Sequence, residues 1–239
     1  GRMAASASRA LQAELKDLLS TPLEGVQLSL GEDDNLFLWE VAIFGPPDTI
    51  YTGGYFKTQL SFPPTYPFNP PEMRFTPALY HPNVYADGKI CISILHPPGE
   101  DEMSGELASE RWSPAQRIRT ILLSVISLLN EPNTSSPANV DASVDYRDWK
   151  LGKSDKYKRV VEKEVADSAK VAKEEGVKVP TTQEEYVIET KKPDPPSLEM
   201  EMTFDDDMDD FSDGDFDFED CSPEPGAAAD PLDGDSGNE

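Results

Sequence analysis

The pattern of apolar and polar positions predicts an amphipathic helix near the start of the chain. Four leucines between residues 6 and 20 recur at the three- and four-residue spacing that places side chains on one helix face: Leu11, Leu15, Leu18 and Leu19. Pro22 follows them. Because proline cannot continue a hydrogen-bonded helical turn, we expect the helix to end before Pro22 and to bury its leucine face.

Between residues 24 and 80 the apolar period shortens to two, which is typical of strands. Four such runs are bounded by Gly, Pro, Asp or Asn: 26–30, 37–44, 55–62 and 72–75. The pattern predicts a meander of four antiparallel strands with turns at 31–35, 45–54 and 63–71. The last turn, here called the proline ledge, holds five prolines. Since proline lacks a backbone donor, we expect this ledge to lie rigidly on the surface.

Helical spacing returns in the second half of the chain. Ser113 as N-cap and Pro114 at the first helical position predict a helix that Pro132 ends. Its expected apolar stripe comprises Ile118, Ile121, Leu122, Val125, Leu128 and Leu129.

Further helices are expected over about 139–150 and 155–175. Thr182 and Glu185 form a capping-box pattern that predicts a short last helix. The predicted fold class is therefore α+β: a four-stranded antiparallel meander with an N-terminal helix and several C-terminal helices.

Charge is concentrated at the carboxyl end of the chain. The 239 residues include 46 Asp and Glu against 21 Lys and Arg, for a net charge of −25, and residues 193–239 hold 18 of the acids and no base. Such a polyanion is repelled by phosphates and anionic lipid, so we expect no nucleic acid or membrane partner but a basic one. Because the segment has too few apolar residues for a core, it is expected to be a disordered tail.

Cysteine and histidine are scarce. Two cysteines cannot build a disulfide framework, so we expect a reducing, intracellular compartment, and no apolar run is long enough to span a bilayer. The expected location is the cytoplasm and nucleus. A zinc site is not expected, because only Cys91, His81 and His96 are available outside the tail. From composition alone, Cys91 is most simply an inert core residue. A Cys–His protease is conceivable, but nothing in the sequence pairs either histidine with Cys91.

Five motifs occur in order around Cys91. They are Phe44-Gly45-Pro46-Pro47 with Tyr51-Thr52-Gly53-Gly54-Tyr55-Phe56, Tyr66-Pro67-Phe68 to Pro70-Pro71, His81-Pro82-Asn83, Cys91 itself, and Trp112-Ser113-Pro114-Ala115. Together they resemble the ubiquitin-conjugating enzyme family over almost all of residues 6–175. The acidic insertion 99–110 and the acidic tail resemble the cell-division-cycle type within it, which serves cullin-RING ligases.

The resemblance implies a catalytic domain at 6–175, a helical extension at 176–192 and the tail at 193–239. It implies an aminoacyltransferase in which Cys91 takes ubiquitin as a thioester from the activating enzyme and passes it to lysine on a substrate or another ubiquitin, building degradation-type chains. No cofactor is expected, since the activating enzyme consumes the ATP. Asn83 is expected to stabilise the oxyanion or to order the adjoining loop, and His81 and Pro82 to be structural.

The attacking lysine must first lose a proton. Many family members have an Asp after the helix for this purpose, where this chain has Ser136. We therefore hypothesise that the acidic loop, with Tyr85 and Ser136, attracts and orients the lysine; its acids are Glu100, Asp101, Glu102, Glu106 and Glu110. The simpler interpretation is a solvated acidic surface loop.

The resemblance also implies docking surfaces. The face for the RING subunit and the activating enzyme would comprise Arg9, Ala13, Phe68, Ser113, Pro114 and Ala115, although Phe68 could instead pack beneath the ledge. A basic cullin groove would receive the tail residues Phe204, Asp205, Asp206, Asp207, Asp209, Asp210, Phe211, Phe216 and Phe218. The alternatives are an acidic chaperone and a non-catalytic ubiquitin-binding variant.

Overall fold

The computed structural model describes residues 2–30, 35–99 and 106–190, with backbone alone at 2–4 and 188–190. Its helices and strands follow in this order: α1 Arg2–Ser20, β1 Val26–Leu30, β2 Leu38–Phe44, β3 Tyr55–Ser61, β4 Glu72–Phe75, α2 Ile118–Asn130, α3 Val140–Lys150, α4 Lys156–Glu174 and α5 Gln183–Thr190. The predicted fold class is confirmed. The predicted disordered tail and residues 100–105 of the insertion lie outside the described residues.

The four strands form one antiparallel sheet in the order β1-β2-β3-β4. Alternate side chains of β2 point to opposite faces, as the period of a strand requires. Trp39 and Ile43 belong to the main hydrophobic core, together with Leu11, Leu15 and Leu18 of α1 and the apolar stripe of α2. Leu19 was predicted to share that buried face, but it is 55% exposed, because it lies at the edge of the face in the last turn of α1. Phe44 packs instead in a second cluster with Tyr186 of α5. The sheet is therefore covered on both faces.

Helix α2 begins later than the sequence pattern predicts. The Gln116 N–H donates to the Ser113 carbonyl at 2.9 Å, so residues 113–116 form a turn rather than a helix start. Arg117 is extended (φ −118°, ψ 158°) and is the N-cap without a side-chain hydrogen bond. The Ile118 N–H donates to the Glu14 carboxylate of α1 at 3.4 Å. The prediction of Ser113 as N-cap was wrong, because a carboxylate distant in sequence supplies the acceptor.

The last helix shows half of the predicted capping box. The Glu185 N–H donates to the Thr182 hydroxyl at 3.2 Å, as expected. The Glu185 carboxylate, however, accepts from the N–H of Thr181 at 3.1 Å rather than from that of Thr182. Both contacts stabilise the start of α5.

No helix in the described part of the chain has the length and apolar character needed to cross a membrane.

Candidate active site

Cys91 lies at the end of a short loop that folds back on itself after β4. The Tyr85 N–H donates to the Lys89 carbonyl at 2.9 Å, and the Cys91 N–H donates to the Asn83 carbonyl at 2.9 Å. Gly88 makes the turn with φ +87°, and a Cβ there would lie 2.2 Å from the Phe75 carbonyl oxygen. The backbone thus brings Tyr85 and Cys91 side by side.

The thiol of Cys91 is half-buried and lines a cavity of about 730 Å³. The Tyr85 hydroxyl lies 3.6 Å from the Cys91 sulfur, and this hydrogen bond is the main cause that raises the pKa of the phenol. Cys91 is therefore open to a reactant, which is not expected of the inert core residue that composition alone favoured.

His81 is buried beneath this loop. Its Nδ1 accepts from the Asn83 N–H at 3.0 Å, and its Nε2 lies 2.9 Å from the Leu128 carbonyl of α2. An imidazole that accepts at Nδ1 must carry its proton at Nε2, so the ring is neutral. Burial lowers its pKa to about 4. The buried Pro82 carbonyl accepts from the Asn139 N–H at 2.9 Å, which joins the motif to the start of α3.

Asn83 is only 2% exposed, and its amide contacts the loop after α2. Nδ2 donates to the Asn133 carbonyl at 2.9 Å, and Oδ1 accepts from the Asn133 N–H at 2.8 Å. These contacts order the loop that carries the exposed Ser136. The structure therefore shows a loop-ordering contact of Asn83, while its oxyanion role and the part of Ser136 in orienting lysine stay predictions.

His96 also lies beside the thiol, and it follows Cys91 in the chain whereas Tyr85 precedes it. Sequence reasoning missed His96. Its Nε2 is 3.7 Å from the Cys91 sulfur, and its Nδ1 is 2.8 and 2.9 Å from the two carboxylate oxygens of Glu106. Arg111 donates from Nε to Glu106 at 3.1 Å. The short separation of His96 from Cys91 was the available signal, but spacing does not reveal the turn that brings them together.

The acidic insertion is described only in part. Glu106 contacts His96 and Arg111, and the exposed Glu110 accepts from the Leu107 N–H at 3.1 Å. Glu100, Asp101 and Glu102 lie outside the described residues. The predicted attraction of lysine by these acids stays a prediction.

The residues predicted to dock partners lie on adjoining elements. Phe68 of the proline ledge is 66% exposed, so it is not packed beneath the ledge. The Trp112 indole N–H donates to the Pro67 carbonyl at 2.7 Å, which fastens the ledge to the segment that precedes α2. The exposed members of the set are Arg9, Ala13, Phe68, Pro114 and Ala115, and Ser113 is half-buried.

Comparison with known proteins identifies the family. The family model for ubiquitin-conjugating enzymes matches residues 10–165. The chain belongs to the ubiquitin-conjugating enzyme family. Ubiquitin-conjugating enzyme E2 7 of Arabidopsis thaliana is 50% identical over 166 residues, which cover 70% of this chain and 98% of the relative.

Two fungal relatives are also similar to this ubiquitin-conjugating enzyme. Ubiquitin-conjugating enzyme E2 15 of Schizosaccharomyces pombe is 50% identical over 61% of this chain and 88% of its own length. Ubiquitin-conjugating enzyme E2-34 kDa of Saccharomyces cerevisiae is 44% identical over 191 residues, which cover 78% of this chain and 63% of the relative.

Membership settles the activity at the level of the family. The protein is a ubiquitin-conjugating enzyme, a transferase in protein ubiquitination whose partners include ubiquitin and the activating enzyme. The non-catalytic variant and the acidic chaperone are thereby set aside. Within the described ranges, no group of three His, Cys, Asp or Glu side chains is arranged to hold a metal ion.

Proposed function

We propose that this enzyme accepts ubiquitin as a thioester on Cys91 and works with a cullin-RING ligase to build degradation-type chains. The observation that carries the proposal is the distribution of charge: residues 193–239 hold 18 acids and no base. A segment of that charge is attracted to a basic partner surface. Its combination with an acidic insertion between Cys91 and Trp112 resembles the cell-division-cycle type of the family.

Thioester formation on Cys91 is supported by its place in the cavity. The thiol is partly exposed, and the hydroxyl of Tyr85 and the imidazole of His96 both lie within 4 Å of it. A thiol is intrinsically nucleophilic even when a small fraction is ionised at neutral pH. Incubation with activating enzyme, ATP and ubiquitin is expected to give an adduct that a reducing agent removes and that Cys91→Ala does not form.

The RING subunit binds at the exposed Phe68 and the Pro114–Ala115 turn, beside Arg9 and Ala13 of α1. Support comes from three contacts that join these elements into one face. The Trp112 indole holds the ledge, the Glu14 carboxylate accepts from the Ile118 N–H, and Arg119 pairs with Asp17 at 3.2 Å. An exposed aromatic side chain on so fixed a support suits a binding surface.

The tail binds a basic groove of the cullin. Long-range attraction of this kind raises association rates towards about 10⁸–10⁹ M⁻¹s⁻¹ and weakens with salt. Phenylalanines among the acids add short-range contacts. The residues concerned are Phe204, Asp205, Asp206, Asp207, Asp209, Asp210, Phe211, Phe216 and Phe218.

The tail proposal is tested by charge neutralisation at constant length. Asn replaces the five aspartates between 205 and 210. Ligase-dependent ubiquitination is measured at about 50 and about 200 mM salt, because added salt shortens the distance over which charges attract one another. The variant should lose rate at low salt and show a smaller salt dependence. The matched control neutralises five acids nearer the end: Glu224, Asp230, Asp233, Asp235 and Glu239. Equal losses in both variants would contradict a specific groove, and no loss in either would contradict the tail's role.

The acidic loop attracts the lysine of an acceptor ubiquitin. Replacement of Glu100 and Glu102 by Gln and of Asp101 by Asn should slow chain extension while leaving thioester formation on Cys91 intact. Unchanged chain assembly would contradict this step. Linkage analysis of the chains and degradation of the product by the proteasome test the degradation-type assignment.

The proposal also covers the domain organisation, cofactor use and cellular location of the enzyme. Residues 6–175 form the catalytic domain, 176–192 a helical extension and 193–239 the tail. The enzyme uses no cofactor of its own, because the activating enzyme consumes ATP. It acts in the cytoplasm and nucleus, which fractionation of cells that express the tagged chain would test.

A further inference from the structure

His96 is held against the thiol of Cys91 by a short turn. The 3₁₀ helix Ser93–Leu95 buries Ile94 and Leu95, and the His96 N–H closes it by donating to the Ser93 carbonyl at 2.9 Å. The His96 carbonyl accepts in turn from the Trp112 N–H at 3.1 Å. The N–H and the carbonyl of His96 are therefore both hydrogen-bonded, which fixes its backbone. Its Nε2 lies 3.7 Å from the Cys91 sulfur.

The other ring nitrogen of His96 faces a carboxylate. Nδ1 lies 2.8 Å from one Glu106 oxygen and 2.9 Å from the other. Because a carboxylate only accepts hydrogen bonds, Nδ1 carries a proton in this contact. In the neutral imidazole, Nε2 is then left with a lone pair directed towards the thiol. Glu106 thereby selects the tautomer that can accept a proton beside the sulfur.

Arg111 holds Glu106 in place. Its side chain is 11% exposed, its Nε donates to Glu106 at 3.1 Å, and its guanidinium also donates to the Pro97 carbonyl at 3.3 Å. The sequence of contacts from Arg111 through Glu106 and His96 to Cys91 is continuous. It joins His96 and Pro97, which precede the acidic insertion, to Glu106 and Arg111 near its end.

We propose that His96 is a catalytic residue that accepts the proton released during transfer, and that Glu106 and Arg111 are positioning residues. The proposal rests on ubiquitin being carried on Cys91. It extends that function to the group that handles the proton, and it requires no ligase. The exposed hydroxyl of Ser136 is a poor proton acceptor, whereas a neutral imidazole is well suited to this task at neutral pH.

Transfer to lysine proceeds through a tetrahedral adduct. A neutral lysine amine forms the N–C bond with the thioester carbonyl, and the tetrahedral adduct passes its N–H proton to Nε2 of His96. The C–S bond then breaks, and Cys91 leaves as a thiolate that regains the proton from the imidazolium. The Glu106 carboxylate stabilises the imidazolium while it exists. The amide product and the free thiol are formed with no other reactant.

Other charged and titratable groups line the same cavity. They are Tyr85, whose hydroxyl contacts the sulfur, and Lys89 and Glu72, which pair with each other at 2.9 Å. Lys89 and Glu72 therefore largely neutralise one another, and Glu106 is a charged group in direct contact with His96.

The test is single-turnover discharge of the purified thioester to free lysine, without ligase, across a pH series. His96→Gln keeps an amide that can donate to Glu106 but provides no proton acceptor. We expect loading to persist and discharge to fall about 10²-fold. The ratio of wild-type to variant rates should decrease as pH is lowered, because protonated His96 cannot accept a proton. Added imidazole should restore part of the rate in His96→Ala.

Glu106→Gln keeps the native histidine and tests the positioning role. Loss of a hydrogen bond to a charged group should slow discharge about tenfold or more. The control is Glu162→Gln, which removes an exposed α4 carboxylate whose partner is Lys158 at 3.7 Å. It should discharge at the wild-type rate. If the His96 variants do not fold, the comparison of Glu106→Gln with Glu162→Gln still tests the proposal.

The proposal is overturned if discharge by His96→Gln is within twofold of the wild type. It is also overturned if the rate falls but keeps the wild-type pH dependence and imidazole gives no rescue, since His96 would then be structural. Failure to load ubiquitin at all, in wild type and variants alike, would instead contradict the proposed thioester on Cys91.

Discussion

The side-chain amide of Asn83 makes two hydrogen bonds with the backbone of Asn133, at 2.8 and 2.9 Å. One is donated and one is accepted, and they connect the Cys91 loop to the segment that follows α2. A side chain so engaged orders that segment, whereas the predicted oxyanion role would use the second proton of the same amide. The two roles have different consequences for substitution.

Asn83→Ala should slow discharge of the thioester about 10²-fold, because an oxyanion donor and the order of the loop are lost together. Loading should continue. Asn83→Asp retains the acceptor for the Asn133 N–H but loses the donor to the Asn133 carbonyl together with any donor to an oxyanion, so similar slowing in this variant shows that the amide N–H group is needed. Asn133→Ala is the matched control, since both contacts involve its backbone, and a loss there as large as in Asn83→Ala would contradict the prediction. The measurement is single-turnover transfer to lysine.

Two buried tyrosines provide a test of stability remote from the thiol. The hydroxyls of Tyr51 and Tyr157 lie 2.8 Å apart, and each residue is no more than 1% exposed. Either single change to Phe leaves a buried hydroxyl without this partner and should reduce the free energy of unfolding by about 1–3 kcal/mol. The double change to Phe removes both polar groups and should cost less than the sum of the singles. Urea denaturation measures the coupling, and strictly additive losses would contradict it.

The helices and the strand meander were predictable because their apolar periods are local. The stripe of α2 and the alternation of β3 are visible in the chain itself, and the structure has both. The start of α2 was not predictable, because its N–H acceptor is Glu14, which lies 104 positions earlier. Local capping residues cannot reveal such a partner.

The active site was also only partly predictable from the sequence. Cys91, Asn83 and His81 were recognised because their motifs are contiguous in sequence. His96 was missed, because its role depends on a 3₁₀ turn and on a carboxylate from beyond the undescribed part of the insertion. Proximity of a histidine to a cysteine in the sequence does not show whether the two side chains are in contact, because that depends on the turn between them.

Glu164 should make the protein more stable in mild acid. One oxygen accepts from the Tyr80 N–H at 2.9 Å, and the other is buried without a hydrogen-bond partner among the described residues. Burial raises its pKa from 4.5 to about 7. Because the folded protein holds this proton more tightly, the contribution of Glu164 to stability is full below about pH 4.5 and is lost as pH rises through about 7.

Glu164→Gln should remove this dependence. Relative to the wild type it should gain stability between pH 5 and pH 8, on the order of 1 kcal/mol once partial exposure is allowed for. Urea denaturation at both pH values measures the difference. Glu162→Gln, an exposed change on the same helix, is the control and should show no such gain. A constant difference between Glu164→Gln and the wild type at the two pH values would contradict the assignment.

His81 acts in the opposite direction over nearly the same range. Burial lowers its pKa from 6.5 to about 4, so the unfolded chain takes up the proton first as the pH falls. Its contribution to stability is therefore full above about pH 6.5 and is lost as pH falls towards 4. The chain has two histidines, so NMR can follow both rings directly, with His96→Gln assigning the signals. We expect the His81 ring to remain neutral, protonated at Nε2, down to about pH 5, and a His81 signal that titrates near 6.5 would contradict the buried, backbone-bonded role.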